Sequence, residues 1–240
     1  MRAFGLTDQG KVRSENQDTY EILQLSEKRL LCVICDGMGG AQAGAVASRL
    51  ACDAFLKSAS AGMKSPDSMQ QALKQAVADA NRLVYERACM DESCRGMGTT
   101  LTALAVWGKD ACAVNVGDSR VYVIDESGIG CLTKDHSVVA WMVQNGEISS
   151  EQAKQYPGKN MITRAVGTEP EVECDLYPYR RKAGDAFLLC SDGLSNQLAD
   201  QELLFEIAHG SRKEDCCERL LQIALERGAP DNVSMILVCD

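Results

Sequence analysis

The sequence predicts an α+β fold in which sheets and helices form separate layers. One observation is that strand-like segments follow one another with no helix between them, at residues 96–107, 111–116 and 120–124. Another is that the helical segments come in two pairs, near residues 40–89 and 200–227. Runs of strands with helices grouped apart are typical of layered α+β folds. The length suits one domain or two small ones, and we find no internal repeat, low-complexity tract or linker.

Three strands are predicted near the N-terminus, over residues 2–8, 19–25 and 30–35. Segment 30–35 is apolar throughout, which is typical of a strand buried on both faces. Two helices follow, over residues 40–59 and 65–89. The second begins with Ser-Pro-Asp, a sequence that suits a helix N-terminus. This part of the chain therefore supplies the first helix pair.

The chain changes character between residues 133 and 167. Short amphipathic segments at 138–144 and 150–155 are broken by glycine and proline, which is typical of an excursion from the core. Beyond it, strands are predicted at 172–177, 185–190 and 233–238, and helices at 200–208 and 213–227.

The composition argues against several classes of function. The net charge is −9 and the isoelectric point about 4.9, so we expect no nucleic-acid surface and no basic membrane patch. The N-terminus lacks the apolar core of a signal peptide, and no apolar run is long enough to span a bilayer. Twelve cysteines, many of them within apolar runs, fit a reducing compartment better than a disulfide framework. We therefore expect a cytoplasmic protein.

Four aspartates lie beside strongly apolar strands. Asp36 and Asp192 each follow such a strand and precede a glycine. Asp231 precedes the last strand beside an asparagine, and Asp18 precedes the second strand. Oxygen-only clusters suit hard divalent cations such as Mg²⁺ or Mn²⁺. We predict that these strand ends meet and that the four acids hold divalent metals.

Each feature also has a purely structural explanation. Any one of these aspartates alone could be a turn or cap residue, and only the repeated pattern favours a metal site. Arg13 could be a solvated surface charge, although arginine is also the side chain that forks onto two phosphate oxygens. The glycine-rich segment 37–40 lacks the Lys and Ser/Thr of a P-loop, so backbone coordination or close packing suits it better.

The cysteine patterns favour packing over chemistry. Cys32 and Cys35 lie in one predicted strand at an odd separation, so they should point to opposite faces and cannot share a metal. The chain has two histidines, and an HExxH-type zinc centre is excluded. Two Cys-x5-Arg matches begin at Cys89 and Cys174, with the spacing of the cysteine-phosphatase loop. Acidic residues within both matches would repel phosphate, so we expect neither cysteine to be catalytic.

The motifs together resemble those of the metal-dependent PP2C-type (PPM) serine/threonine protein phosphatases, the bacterial branch in particular. They occur in the order typical of that family and span essentially the whole chain. A series of motifs in order is far more specific than any single one. The matching segments are VRSENQD (12–18), CDGMGG (35–40), GMGTT (96–100), NVGDSR (115–120), DHS (135–137), ITRAVG (162–167), SDG (191–193) and PDNV (230–233).

The resemblance implies a fold and a domain organisation. The fold is a four-layer αββα sandwich, in which two central antiparallel sheets are flanked by helix pairs. Residues 1–240 form a single catalytic domain. Residues from about 139 to 162 are implied to be the flap beside the active-site cleft, and we name them the flap segment.

The resemblance also implies a site for two to three Mn²⁺ or Mg²⁺ ions. In the family pattern, Asp36 bridges two metals and the carbonyl of Gly37 binds the second. Asp192 and Asp231 complete the shell of the first metal. Asp18 supports the site through metal-bound water.

Three further residues gain roles from the resemblance. Asp118, together with Asp192, matches the position of a third metal in bacterial members. Arg13 matches the arginine that grips the phosphate. Met38 stands where many eukaryotic members carry a histidine that is proposed as the general acid. Because methionine cannot donate a proton, the leaving group must be protonated by water or by another group.

The implied reaction is hydrolysis of phosphoserine and phosphothreonine in protein substrates by a metal-activated water. We expect a monomer that opposes a bacterial serine/threonine kinase. Two alternatives stay open, a metal phosphohydrolase acting on a small phosphoester and an inactive regulatory module on the same fold. The complete set of aspartates argues against the inactive module.

Overall fold

The computed structural model describes residues 1–40, 42–209 and 212–240, and it shows two antiparallel sheets with helices outside them. The strands are β1 (Arg2–Asp8), β2 (Asp18–Ser26), β3 (Arg29–Met38), β4 (Gly98–Thr99), β5 (Leu101–Trp107), β6 (Asp110–Val116), β7 (Arg120–Asp125), β8 (Gly128–Cys131), β9 (Asp175–Arg180), β10 (Ala186–Cys190) and β11 (Val233–Cys239). The helices are α1 (Ala43–Gly62), α2 (Met69–Met90), α3 (Val138–Gln144), α4 (Ser150–Lys154), α5 (Asp192–Ser195), α6 (Asp200–His209) and α7 (Cys216–Glu226). Single 3₁₀ turns occupy Glu92–Cys94 and Lys213–Asp215.

The strands form two sheets with different orders. Sheet I has the order β1-β11-β10-β7-β8, so the last strand of the chain lies between the first strand and β10. Sheet II has the order β2-β3-β5-β6-β9, and the short strand β4 pairs with the end of β3. All paired neighbours run antiparallel.

Alternating side chains of β3 show how the layers stack. Leu31, Val33 and Cys35 pack with α1 and α2, whereas Cys32 and its alternate neighbours pack with residues of sheet I such as Phe187. A third apolar cluster joins the other face of sheet I to α6 and α7. These three apolar interfaces separate four layers, so the predicted αββα sandwich is confirmed. The expectation that Cys32 and Cys35 point to opposite faces is also confirmed.

Several element boundaries differ from those predicted. Helix α1 starts at Ala43 rather than at residue 40, and Ala41 lies outside the described residues. Helix α2 starts at Met69, because the hydroxyl of Ser68 accepts bonds of 3.0 Å from the N–H groups of Lys64 and Ser65. Ser65 therefore belongs to a turn that precedes the helix and does not cap it.

Other strand assignments change as well. The strand predicted over residues 96–107 is divided into β4 and β5. Strand β9 begins at Asp175 rather than at residue 172, because its pairing with β6 starts where Asp175 faces Asn115. Strand β8 was not predicted, and it forms by pairing with β7 across a short turn. Within the described residues, no helix combines the length and the apolar character needed to cross a membrane.

Candidate active site

A cavity of about 490 Å³ opens at one end of the two sheets. It is bounded by the β1–β2 loop, the end of β3, the turn after β6, the start of α5 and the residues before β11. The predicted site residues that line it are Arg13, Asp36, Gly37, Asp118, Asp192 and Asp231. The fold thus joins residues such as Arg13 and Asp231, which are 218 positions apart in the sequence. We call this space the acid cavity.

Asp18, the remaining predicted ligand, lies behind the cavity wall. It begins β2 directly opposite Asp36 on β3. Its Oδ2 accepts a hydrogen bond of 2.8 Å from the hydroxyl of Ser191, while its Oδ1 is buried without a partner among the described residues. Burial raises the pKa of Asp18 to about 6, although the hydrogen bond from Ser191 acts in the opposite direction. Asp18 therefore keeps one buried oxygen whose hydrogen-bonding capacity is unused.

Asp36 is held through its main chain, inside a strand rather than at its end. Strand β3 continues to Met38, because Gly37 and Met38 pair with β4. The Asp36 N–H donates to the hydroxyl of Thr100 (2.9 Å), and its carbonyl accepts from the Thr100 N–H (2.9 Å). Burial, and then the negative charge of Asp18, raise the pKa of Asp36 well above its ordinary value. The main-chain hydrogen bonds therefore fix the Asp36 carboxylate in a buried position beside another acid, where ionisation is unfavourable.

Gly37 is required by a close approach between β3 and α1. A Cβ at this position would lie 2.1 Å from the carbonyl oxygen of Gly44 and 2.7 Å from that of Gln17. The Gly37 N–H donates to the same Gln17 carbonyl at 3.2 Å. Any side chain would have to displace backbone, so glycine keeps the start of α1 against the acid cavity.

Asp192 begins the short helix α5 instead of ending β10 as predicted. Its Oδ2 accepts a hydrogen bond of 3.0 Å from the side-chain amide of Asn196, and its Oδ1 is buried without a partner in the described part of the chain. Burial, and then the charge of Asp231, raise the pKa of Asp192 to about 6, while Arg13 acts in the opposite direction. Asp192 is thus a second acid with an unused buried oxygen.

Arg13 and Asp231 form an ion pair at the mouth of the acid cavity. An Arg13 guanidinium nitrogen lies 2.7 Å from Asp231 Oδ2, and the other Asp231 oxygen accepts the N–H of Asn232 at 2.9 Å. The Arg13 side chain is 56% exposed. Its hydrogen bond with Asp231 raises the pKa of Arg13. The structure therefore places Arg13 beside the acids, with its side chain largely in solvent.

Asp118 lies in the turn after β6, and His136 lies behind that turn; the sequence analysis quoted His136 in a motif without assigning it a role. Burial, and then the charges of Asp192 and Asp135, raise the pKa of Asp118 to about 7. The ring of the buried His136 accepts the Gly117 N–H at Nδ1 (3.2 Å). The main-chain N–H of His136 donates to the Gly117 carbonyl (2.8 Å). His136 therefore fixes the main chain directly before Asp118.

The same hydrogen bond sets the tautomer of His136. Because Nδ1 accepts, Nε2 carries the proton and donates to Asp175 Oδ2 at 3.2 Å. Arg164 donates to the other oxygen of Asp175 at 3.2 Å. Two of the segments used for the family resemblance, around His136 and Arg164, thus support the Asp118 turn from behind.

Two further positioning residues flank the acids in the sequence. The buried Asn232 accepts the N–H of Gln17 (2.9 Å) and donates to the carbonyls of Gln9 (2.8 Å) and Glu15 (2.9 Å). It therefore clamps the loop that carries Arg13. Ser191 donates to Asp18 and accepts the Ser234 N–H at 3.0 Å. The available signal was a polar residue beside each acid where an apolar strand begins or ends.

The cysteines singled out by their spacing to arginine lie away from this cavity. Cys89 is exposed near the end of α2, and Cys174 directly precedes β9. Most of the second match is the strand β9 itself, so it forms no loop of backbone amides around an anion. Within the described residues neither cysteine lines the acid cavity.

The chemistry of the acid cavity fits divalent metal ions. Among residues 1–40, 42–209 and 212–240, no three His, Cys, Asp or Glu side chains are already grouped to hold a metal. The acids share a cavity, in which Asp231 pairs with Arg13 and Asp192 accepts a hydrogen bond from Asn196. The unpartnered buried oxygens of Asp18 and Asp192, whose pKa values are raised by burial, are suited to a bound cation. An all-oxygen donor set of this kind suits Mg²⁺ or Mn²⁺.

Comparison with known proteins agrees with this site. The sequence profile of the family described as Protein phosphatase 2C matches residues 9–232. The serine/threonine phosphatase Stp of Listeria innocua is 32% identical over 242 residues, covering 99% of this chain and 95% of that protein.

Solved structures of serine/threonine phosphatases are also similar to this chain. The serine/threonine phosphatase Stp1 from Staphylococcus aureus superposes with a TM-score of 0.94 at 36% identity, covering 99% of this chain and 94% of that chain. The catalytic domain of the serine/threonine protein phosphatase PstP, solved in complex with two manganese ions, gives a TM-score of 0.87 at 34% identity, covering 100% of this chain and 98% of that chain. The chain therefore belongs to the protein phosphatase 2C family of serine/threonine phosphatases.

Proposed function

We propose that this phosphatase hydrolyses phosphoserine and phosphothreonine of protein substrates at the acid cavity, with two Mn²⁺ or Mg²⁺ ions and a position for a third. Residues 1–240 act as one catalytic domain, and residues 139–162 form its flap. Two residues of the flap segment, Asn160 and Ile162, line the acid cavity and support this assignment. When bound, the metal pair supplies a nucleophilic water of lowered pKa and neutralises charge on the phosphoryl oxygens.

The proposed ligands follow from the placement of the acids. Asp36, with its main chain fixed in β3, would serve both metals, and the Gly37 carbonyl would serve the second. Asp192 and Asp231 would serve the first metal. Asp18 lies behind the wall, which suits a supporting contact through water. The observation that carries the proposal is the pair of buried carboxylate oxygens on Asp18 and Asp192 that have no partner among the described residues.

The third position is proposed for Asp118 together with Asp192. Both line the acid cavity, and the charge of Asp192 contributes to the raised pKa of Asp118. His136 forms hydrogen bonds with both the N–H and the carbonyl of Gly117, the residue before Asp118. This support keeps Asp118 directed to the cavity.

Arg13 is proposed to bind the substrate phosphate. Its side chain is largely exposed, so it can turn from Asp231 to an incoming phosphate without leaving a buried position. The planar guanidinium then pairs with two non-bridging oxygens of the phosphomonoester. When Asp231 serves a metal, its charge is already balanced, and the guanidinium is free for the substrate.

A metal-titration experiment tests the proposal. The chelated protein should hydrolyse a phosphothreonine peptide only after Mn²⁺ is added, and calorimetry should show at least two bound ions. Asp192→Asn should lose both the activity and one or more ions. Asp53→Asn, a change to an exposed acid on α1, is the matched control and should alter neither.

The same experiment separates the alternatives. A phosphohydrolase for small phosphoesters would hydrolyse free phosphoserine with a higher kcat/KM than it shows for any phosphopeptide. An inactive regulatory module would bind Mn²⁺ or the phosphopeptide without turnover. Either outcome would replace the proposed function.

We also propose a monomer in the cytoplasm that reverses the action of a serine/threonine kinase. The family supports phosphoprotein substrates, and phosphorylation by a serine/threonine kinase is the reaction class that must supply them. All twelve cysteines are free thiols and most of them are buried, which is the state expected in a reducing compartment. Sedimentation measures whether the protein is a monomer, and cell fractionation measures whether it is cytoplasmic.

A further inference from the structure

A pair of hydroxyl groups lies between Asp36 and the turn that carries Asp118. Thr100 connects β4 to β5, and Ser119 directly follows Asp118 in the sequence. The side-chain oxygens of Thr100 and Ser119 are 3.0 Å apart, and both residues are buried. Thr100 also lines the acid cavity. We call Thr100 and Ser119 the hydroxyl pair.

On one side, the hydroxyl pair is fastened to the main chain of Asp36. The Thr100 hydroxyl accepts the Asp36 N–H at 2.9 Å, and the Thr100 N–H donates to the Asp36 carbonyl at 2.9 Å. The hydroxyl of the neighbouring Thr99 donates to the same carbonyl at 2.9 Å. Strand β3 also pairs with β2 at this residue. Asp36 is therefore secured by several contacts, and Thr100 is held to it.

On the other side, the hydroxyl pair contacts both neighbours of Asp118. Ser119 follows the acid, and its hydroxyl is bonded to that of Thr100. Gly117 precedes the acid, and a Cβ at Gly117 would lie 2.6 Å from the methyl carbon of Thr100. The methyl group thus fills the space that a side chain at this glycine would need. The Thr100 side chain therefore supports the turn on both sides of the acid, through its methyl at Gly117 and its hydroxyl at Ser119.

The hydroxyl pair complements the support that His136 gives to the same turn. His136 holds Gly117 through hydrogen bonds to its N–H and its carbonyl, which fixes the chain before Asp118. The bond between Thr100 and Ser119 fixes the chain after Asp118. Because the carboxylate is carried between two held residues, the loss of either support should move it.

Removal of the Thr100 hydroxyl should affect Asp118 more than Asp36. The Asp36 N–H would lose its acceptor, but the Asp36 carbonyl would keep its bonds from the Thr100 N–H and from Thr99. Ser119 is fully buried, and its hydroxyl has no other partner in the described part of the chain. A buried hydroxyl without a partner is costly, so the main chain at Ser119 should shift to find one.

We propose that Thr100 is a positioning residue that transfers the fixed position of Asp36 to Asp118, so that metal binding by Asp118 depends on the Thr100 hydroxyl. The inference rests on the proposed function, because it takes both acids as metal ligands. Removing a residue that holds a metal ligand in place typically lowers metal affinity by about ten- to a hundredfold. We expect that loss for the ion that Asp118 binds and not for the other ions.

Calorimetric titration of the chelated protein with Mn²⁺ tests the proposal. Asp118→Asn first identifies the ion that depends on Asp118. Thr100→Val, which keeps the shape of threonine without the hydroxyl, should weaken the binding of that ion by about ten- to a hundredfold. Thr100→Ser keeps the hydroxyl and should restore most of the affinity. In the Asp118→Asn background, Thr100→Val should change Mn²⁺ binding by no more than about twofold, because the acid that Thr100 positions is gone.

A second variant and a control accompany these changes. Ser119→Ala removes the other hydroxyl of the pair and should weaken the same ion, so the result does not depend on the folding of one variant. Tyr179→Phe is the matched control, because it removes a hydroxyl that donates to the buried Asp185 at 3.1 Å. Tyr179 faces the start of β6, whereas the acid cavity lies beyond the end of β6. This control should bind Mn²⁺ like the wild type, and thermal melting should show which variants are folded.

Three outcomes would overturn the proposal while leaving the phosphatase reaction intact. One is that the folded hydroxyl-pair variants bind every Mn²⁺ ion as the wild type does. Another is that Thr100→Val weakens all ions equally and by the same factor in the Asp118→Asn background, since Thr100 would then act on the fold as a whole. The third is that Asp118→Asn removes no ion. If the wild type bound no Mn²⁺ and hydrolysed no phosphothreonine peptide, the proposed function itself would fail.

Discussion

The acid cavity and the flap segment are built in opposite ways. The acids are anchored by hydrogen-bonded strands and by buried side chains such as His136 and Asn232. Helix α3 of the flap segment, in contrast, buries none of its side chains. A reacting site needs fixed geometry, whereas side chains that contribute little to the core can be changed at a small cost in stability.

The largest expected effect comes from removing one charge of the acid cavity. Asp192→Asn should lower kcat by at least about a thousandfold at saturating Mn²⁺, because a ligand charge is lost. The same change should stabilise the metal-free protein at pH 8 by on the order of 2–3 kcal/mol, because the pKa of Asp192 is raised to about 6 in the folded state. Steady-state kinetics and urea unfolding measure the two effects. Near-normal turnover, or a less stable metal-free protein, would contradict the role given to Asp192.

Matched glycine substitutions compare the two regions directly. Gly37→Ala forces a Cβ to within 2.1 Å of a backbone oxygen, so it should destabilise the protein by about 1–3 kcal/mol or more and reduce activity. Gly146→Ala in the flap segment meets no atom within 4 Å, although its φ of +72° favours glycine. It should cost only about 1 kcal/mol and leave p-nitrophenyl phosphate hydrolysis intact. Equal losses of stability in both variants would show that the two regions do not differ in rigidity.

Arg13 tests the boundary between metal binding and substrate binding. Arg13→Ala should lower kcat/KM for a phosphopeptide by about ten- to a hundredfold, the worth of a charge-assisted hydrogen bond. Mn²⁺ affinity should not fall, since removing the guanidinium leaves Asp231 free. Arg13→Lys should recover only part of the loss, because lysine lacks the planar fork. A fall in Mn²⁺ affinity as large as that of Asp192→Asn would make Arg13 a brace for the carboxylates instead.

The raised pKa values of the buried acids should determine how the stability of the metal-free protein changes with pH. The pKa values of Asp18 and Asp192 are raised to about 6 and that of Asp118 to about 7, above the ordinary value of 3.8. Between those limits the folded protein binds more protons than the unfolded chain, so the metal-free protein should lose stability as pH rises from about 4 to 7. Saturating Mn²⁺ should remove that loss by balancing the ionised acids. A metal-free stability that rose with pH over this range would contradict the burial of these acids.

The smallest effect is expected from the cysteines that lie away from the acid cavity. Cys89→Ser and Cys174→Ser should each keep kcat/KM within about twofold, because neither thiol lies near the reacting phosphate. A large loss of activity in a folded variant would show that one of these thiols contributes to the reaction.

Asp36, Asp192 and Asp231 could be predicted because each lies beside an apolar strand, where a charge has no packing role, whereas Asp118 was assigned through the family resemblance. The separation of sheet and helix layers could be predicted from the runs of strands and the grouped helices, and the four-layer order came from the resemblance. His136 could not be predicted from its surroundings in the sequence, since its role depends on hydrogen bonds to Gly117, 19 positions earlier. The start of α2 was misplaced because Ser68 satisfies a preceding turn, a choice made by local hydrogen bonds.

Sheet pairing explains the remaining differences. Strand β8 has two glycines among its four residues and forms only because β7 provides a partner. The start of β9 is set by the edge of β6 rather than by its own apolar pattern. Such strand boundaries are set by tertiary contacts, which the pattern of apolar residues in the sequence does not reveal.

The clamp made by Asn232 has a consequence for how the enzyme is made. Asn232 binds the loop of Gln9 to Gln17, so the Arg13 side of the cavity depends on a residue synthesised 215 positions after Gln17. Asp231 and the inner strand β11 arrive at the same late stage of synthesis. A nascent chain that has not yet released this region from the ribosome has neither the clamp nor the full set of acids. A product that terminates before Asp231 would therefore lack part of the acid cavity and should not dephosphorylate proteins.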